Sequence, residues 1–219
     1  MHRVRPARSA HPTVTVRRAL QAGIAVPFLY YGTQLLAALF YPHYSFLTQT
    51  ASMLGSDLAR YPWIFNSGAF VVGVATLFAS YGFLRALRQA GARTVLAWLC
   101  CIAIAINGMV AIKAGYFPLP DPRHGSGPLM IGILALPALL AAALWQHRRA
   151  NAPACALVAY LVATNFLIVA MIPVMSGMTG LDTRDVTGAL QRVATLTIYP
   201  PVGVTAWYLL RTQASPADF

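Results

Sequence analysis

Residues 94–145 read TVLAWLCCIAIAINGMVAIKAGYFPLPDPRHGSGPLMIGILALPALLAAALW. Two apolar runs, 94–115 and 128–145, flank a Pro- and Gly-rich crossing from Lys113 to Pro128. Each run is close to the roughly 20 residues a membrane-spanning helix needs. A helix also satisfies its own backbone hydrogen bonds, which lipid cannot do. The crossing holds the only lysine of the chain together with Asp121 and His124, all placed at one membrane surface. Two antiparallel spans joined by a short polar loop are therefore expected.

The pattern repeats outward. Further apolar runs at 19–40, 63–84, 154–175 and 190–210 bring the expected total to six spans. The chain is 58% hydrophobic and 10% charged, with mean hydropathy +0.61, whereas soluble domains carry about 25% charged residues. The predicted fold class is all-α, a polytopic bundle of six transmembrane helices. The first run could be read as part of a signal peptide, but it is too long for an ordinary apolar core and no small-residue cleavage site follows. It is taken as a retained helix, kinked near Pro27. Tyr199-Pro200-Pro201 should kink the last span, since proline removes an intrahelical hydrogen bond.

Orientation follows from the basic residues. The N-terminal arm, the 85–93 loop, the 146–153 loop and Arg211 hold eleven of the sixteen Lys and Arg residues, all at one end of the expected bundle. The positive-inside rule places that end, and both termini, in the cytoplasm. The organisation is then a disordered basic arm over 1–18, a transmembrane domain over 19–211 and a short tail over 212–219. The net charge of +11 lies in short loops between spans, so topology explains it and nucleic acid is excluded as a partner. Fifteen of the sixteen cations are arginine and glutamate is absent. That usage fits a GC-rich bacterial genome and an inner-membrane location. Cys100, Cys101 and Cys155 all fall inside apolar runs, where cysteine is a small packing residue.

Ala69 with Gly73, and Ala111 with Gly115, are small-residue pairs that let helices approach closely. Asn66, Asn107 and Asn165 are amides expected to bridge helices. The long first outer loop, 41–62, is apolar over Phe46 to Leu54 and is expected to lie along the interface.

Three helix N-termini point to the outer face in this topology, each with free N–H groups and partial positive charge. Pro62 and Pro128 suit first turns, and Asp182 with Asp185 would form a capping box. Near these ends lie Arg60, Lys113, Arg123, His124 and Arg192. A helix N-terminus beside a cation is an anion site, and in a membrane the abundant anion is a lipid phosphate. Alternatively, Lys113 and Arg192 snorkel to headgroups or pair with Asp121 and Asp185. Ser52, Asp57, Asp121, His124 and Asp182 supply the residue types of a hydrolase, but no GxSxG pattern occurs. No HxxxH or HExxH spacing occurs either, so no metal or other cofactor is expected. The span centres hold no ionisable group of the kind ion-coupled transport would need.

The outer-face motifs run SMLGSD, WIFNSGAF, GYFPLPD followed by RHG, and TGALQR opening the last span. In this order they resemble the bacterial six-helix membrane family catalogued as Domain of Unknown Function 998, over residues 20–211. The resemblance implies that Ser52, Asn66, Asp121, His124 and Arg192 are the family-type positions. Two departures stand out: Pro128 lies where the family tends to carry a second histidine, and Gln191 where an acid often precedes the arginine. The family is also distantly similar to eukaryotic six-helix proteins of lipid-anchor remodelling and autophagy.

Three readings remain. The leading one is a non-enzymatic outer-face pocket between helices 2, 4 and 6 that binds an anionic lipid through Ser52, Asn66, Lys113, Asp121, His124 and Arg192. The second is a membrane hydrolase or transferase acting on lipid at the same face. The third is a structural or assembly partner without a ligand.

Overall fold

Thr13 opens the first helix: its Oγ1 accepts from the backbone N–H of Val16 at 3.4 Å, supplying one of the free donors of the first turn. In the computed structural model, which describes residues 13–213, α1 then runs Val14–Ala38. It starts five residues ahead of the expected span because Arg17 and Arg18 continue the helix rather than ending an arm. Residues 1–12 of the expected 1–18 arm and 214–219 of the expected tail lie outside the described residues.

Next come α2 (Pro62–Gln89), α3 (Thr94–Tyr116), α4 (Met130–Leu144), α5 (Ala152–Met175), α6 (Thr187–Leu196) and α7 (Tyr199–Gln213). Short 3-10 turns occupy Ala51–Gly55, Gly127–Leu129, Trp145–Arg149 and Arg184–Val186. No strand occurs among the described residues. Helices α1 to α5 pack in chain order, and α7 returns against α1 to close the ring.

Five segments are long and apolar enough to cross a membrane: Pro62–Gln89, Thr94–Tyr116, Gly127–Arg149, Ala152–Met175 and Arg184–Gln213. On length and hydropathy this is a multi-pass membrane protein. The first helix, at 25 residues, is long enough but less apolar, because it carries Arg17, Arg18, Gln21 and Gln34. It packs along α2 and α7 as a sixth antiparallel member. Large apolar side chains face outward, among them Phe28 (74% exposed), Ile131 (75%) and Phe166 (70%). On a soluble surface such residues would be a liability; against lipid they are the expected face.

Small residues decide the closest helix pair. A Cβ at Gly73 would stand 2.6 Å from the Gly108 carbonyl oxygen, and one at Gly115 would stand 3.3 Å from the Ala69 Cβ. Both small-residue pairs therefore serve one interface, α2 against α3, with Gly108 added. On the other side of α1, the Pro27 ring rests against Gly203 of α7. Helix α1 continues unbroken through Pro27.

The last span breaks before its prolines rather than at them. Helix α6 ends at Leu196, and Thr197 Oγ1 donates to the Ala194 carbonyl at 2.6 Å. Pro200 and Pro201 then fall in the first turn of α7, where a missing N–H costs nothing.

The main core lies at the end of the bundle that carries the 90–93 and 145–151 connections. Leu20, Phe83, Leu87, Ile104, Leu140 and Leu209 are fully buried there. Gln146 Nε2 donates to the Gly91 carbonyl at 2.9 Å, and Gln213 Nε2 to the Ala86 carbonyl at 2.9 Å, tying that end together. The connections 39–61, 117–126 and 176–186 lie at the opposite end.

Candidate functional site

The first long loop does not lie along the interface as its composition suggests. Leu47 is exposed, but Ala51 and Leu54 are only 2% and 1% exposed and pack with Ala37 and Phe65. The loop folds back over the helix ends as a roof. Tyr44 starts this: its hydroxyl donates to the Thr50 carbonyl at 2.9 Å. Gln49 Oε1 accepts from the Ser45 N–H at 2.7 Å. The chain is thereby turned into the Ala51–Gly55 segment.

Helix α6 holds the roof from the side. The Arg192 guanidinium donates through Nη1 to the carbonyls of Phe46 (2.8 Å), Gln49 (3.0 Å) and Gly188 (2.9 Å), and through Nη2 to the Tyr44 hydroxyl (2.6 Å). It also lies over the Phe46 ring, 4.7 Å from the centroid. The neighbouring Gln191 Oε1 accepts from the Ala51 N–H at 2.6 Å. The Ala189 N–H, in the first turn of α6, donates to the Leu47 carbonyl at 2.9 Å. The expected Asp182 capping box is absent. Asp182 instead holds the Arg184 N–H at 3.1 Å and its guanidinium at 2.8 Å, and the loop carbonyl supplies the helix's acceptor.

From α2, Asn66 Nδ2 donates to the Gly55 carbonyl at 3.0 Å, while its Oδ1 is buried without a partner. Of the three expected bridging amides it alone makes such a bond, and it joins a helix to a loop. Asn107 is buried with Nδ2 unpaired.

The loop between α3 and α4 delivers His124. Asp121 shapes it: one carboxylate oxygen accepts from the Arg123 N–H at 2.8 Å and Nε at 3.0 Å, the other from Nη2 at 2.7 Å. The bonds from Arg123 hold the Asp121 carboxyl down at about 2. Arg123 in turn stacks over the Phe117 ring at 3.9 Å. The His124 N–H donates to the Asp121 carbonyl at 2.9 Å, closing the turn. On its ring, Nδ1 lies 2.7 Å from the Phe117 carbonyl and Nε2 lies 2.9 Å from Ser52 Oγ. A carbonyl can only accept, so Nδ1 carries the proton, and Nε2 of the neutral ring accepts from the serine hydroxyl.

Lys113 neither snorkels nor pairs with an aspartate. Its Nζ donates to the Gly125 carbonyl at 3.0 Å. Of the six candidate residues, Ser52 and His124 are joined directly. Asn66 and Arg192 reach the same loop at Gly55 and at 44–49, and Asp121 and Lys113 support the loop that carries His124. The expected arrangement, one pocket joining Lys113, His124 and Arg192, is not what forms around Ser52. The cavity there, about 90 Å³, lies between α1, α2, α3 and α7 and is lined by Tyr30, Thr33, Phe65, Val72, Ala111 and Tyr199 among others. Arg192 and Lys113 are turned away from it onto backbone carbonyls.

The family model described as "Protein of unknown function (DUF998)" matches residues 24–208, most of the chain. This chain belongs to the DUF998 family. No curated protein and no solved structure matches it. In this DUF998 protein the sequence motifs SMLGSD, WIFNSGAF, RHG and TGALQR, far apart in the chain, come together at one end of the bundle. Sequence reasoning missed Tyr44 and the Gly55 and Phe117 carbonyls, since a backbone acceptor leaves no residue-type signal. Gln191 was visible only as a departure from the family pattern. As the acceptor for Ala51, it does through a neutral amide what an acid at that position would also do.

Proposed function

We propose that this DUF998 protein spans a bacterial inner membrane six times with both termini in the cytoplasm. Its roofed end would face outward and receive a lipid or lipid-like ligand beneath the Ala51–Gly55 turn. The bias of basic residues to the other end supports the orientation. The ligand reading is carried by one observation: Ser52, a polar residue on the roof, lines an otherwise largely apolar cavity inside the bundle.

At about 90 Å³ the cavity holds a head end or a few methylenes, the space of about three waters. A chain attached to that head has a place to lie. A groove of about 680 Å³ runs along the outer side of α1 and α2, lined by Leu36, Trp63, Ile64 and Gly68, and it shares Thr33 with the inner cavity. An anionic headgroup is not required by this geometry, because Arg192 directs its donors to the loop. An uncharged polar head fits beside Ser52 equally well.

Native mass spectrometry of the protein extracted from phospholipid membranes in gentle detergent tests the proposal. Retained lipid is expected, and Ala114→Phe, on the cavity wall, should release it. A wild-type protein that carries no lipid would overturn the reading.

A further inference from the structure

We infer that Ser52 and His124 form a nucleophile–base pair that transfers an acyl group from a lipid ester. This rests on the proposed reading that a lipid reaches the cavity under the roof. A catalytic serine needs a base within hydrogen-bond reach and a third group that fixes the base. Here Oγ and Nε2 are 2.9 Å apart, and the Phe117 carbonyl, 2.7 Å from Nδ1, is the third group. It sets the tautomer that leaves Nε2 free to take the serine proton. A neutral carbonyl stabilises the resulting imidazolium less than a carboxylate would, so the pair is a slow one by the standard of a full triad.

The serine is held in place rather than carried on a free loop. Its neighbour Ala51 is fixed by Gln191 at 2.6 Å, and Gly55 at the end of the same turn by Asn66 at 3.0 Å. Lys113, anchored on Gly125 next to His124, brings a positive charge to the loop that carries the base.

In the first step Ser52 Oγ–H gives its proton to His124 Nε2 as Oγ bonds to the ester carbonyl carbon. The ester C–O bond breaks, and the departing alcohol oxygen takes the proton back from Nε2. In the second step water gives a proton to Nε2 while its oxygen attacks the acyl carbon. The Oγ–acyl bond breaks, a carboxylic acid leaves, and Ser52 regains its proton. Water is the only co-reactant.

A fluorophosphonate probe reads the first step without knowledge of the substrate: Oγ bonds to phosphorus, fluoride leaves and His124 takes the proton. In the full-length protein in detergent, labelling is expected on the peptide that contains Ser52, and none in Ser52→Ala. His124→Gln can still bond to Ser52 but is a far weaker base, and should slow labelling by about 100-fold or more. Elution as a single species shows that each variant is folded. Wild-type protein that retains lipid but leaves Ser52 unlabelled overturns the pair while the binding reading stands. Equal labelling rates in wild type and His124→Gln overturn it too. Labelled Ser52 in protein that retains no lipid supports the pair and overturns the pocket reading instead.

Discussion

The hydroxyl of Tyr44 lies 2.6 Å from Nη2 of Arg192 and gives its own proton to the Thr50 carbonyl at 2.9 Å. Burial holds the Tyr44 phenol up, with Arg192 opposing, so the hydroxyl stays a donor. One arginine on α6 thus organises a loop that lies more than 140 residues earlier in the chain. A residue expected as one of several anion ligands works as a clamp for backbone oxygens.

Arg192→Ala should therefore destabilise the protein rather than only weaken ligand binding. It strands the Phe46 carbonyl and leaves the Gln49 carbonyl only the longer Tyr44 hydroxyl contact at 3.3 Å, and a hydrogen bond to a charged group contributes about 1.5–3 kcal/mol. A loss of about 3 kcal/mol is expected in thermal or denaturant unfolding in detergent. Arg192→Lys should recover only part of it, because an ammonium lacks the planar fork that reaches several acceptors at once. Unchanged stability in Arg192→Ala would count against the clamp.

Gly188→Ala tests the same contact from the backbone. An added Cβ would press on the Gln49 carbonyl and stand 2.7 Å from the Phe46 carbonyl oxygen. Backbone on both sides cannot yield cheaply, so the roof should lift away from α6. Faster hydrogen exchange across 46–55 is the expected signature, with the far core around Phe83 unchanged.

Gly73→Leu addresses the fold itself. The new side chain would be forced into Gly108 and Ile112 of α3, and overpacking of a tight interface costs about 1–3 kcal/mol or more. Expression of folded protein should fall sharply. Substitution of leucine at Gly32, where a Cβ meets nothing within 4 Å, should be tolerated.

Acid should act on the His124 loop in a narrow window. The folded Asp121 carboxyl is held at about 2 against an ordinary 3.8. A depressed carboxyl adds stability above its unfolded value, and that contribution disappears as pH falls through the folded one. The Arg123 pairing should thus be intact above about pH 4 and lost towards pH 2. An NMR titration of Asp carboxyl carbons should show a midpoint near 2 for Asp121, a resonance absent in Asp121→Asn. A midpoint near 4 for Asp121 would rule out the pairing.

Orientation has a direct check. A reporter active only outside the cytoplasm, fused after Gln213, should be silent, and the same reporter inserted in the 176–183 loop should be active. The reverse pattern would invert the proposed topology.

The helices were legible from residue pattern alone, with five of the six expected spans long and apolar enough to cross a membrane. Long apolar runs in a chain with few charges leave little else to form, since lipid forces each span to close its own hydrogen bonds. The family was also legible, because its short motifs keep their order along the chain. Sequence placed the break in the last span at its prolines. The structure moved the break to Thr197, since proline costs nothing in a first turn.

Tertiary structure alone decided what the polar residues do. Residue type offers Arg192 and Lys113 as anion ligands, as snorkelling cations or as partners of aspartates, and nothing in it says that they bond to carbonyls of Phe46, Gln49 and Gly125. Backbone acceptors are the same at every position, so only the folded path of the chain selects among them. For the same reason His124 stood beside Asp121 in sequence but hydrogen-bonds through its ring to the Phe117 carbonyl and to Ser52, 72 residues away. Residue types mark the 113–128 loop as a candidate ligand site; which atoms face each other depends on how the 39–61 loop folds back over the bundle.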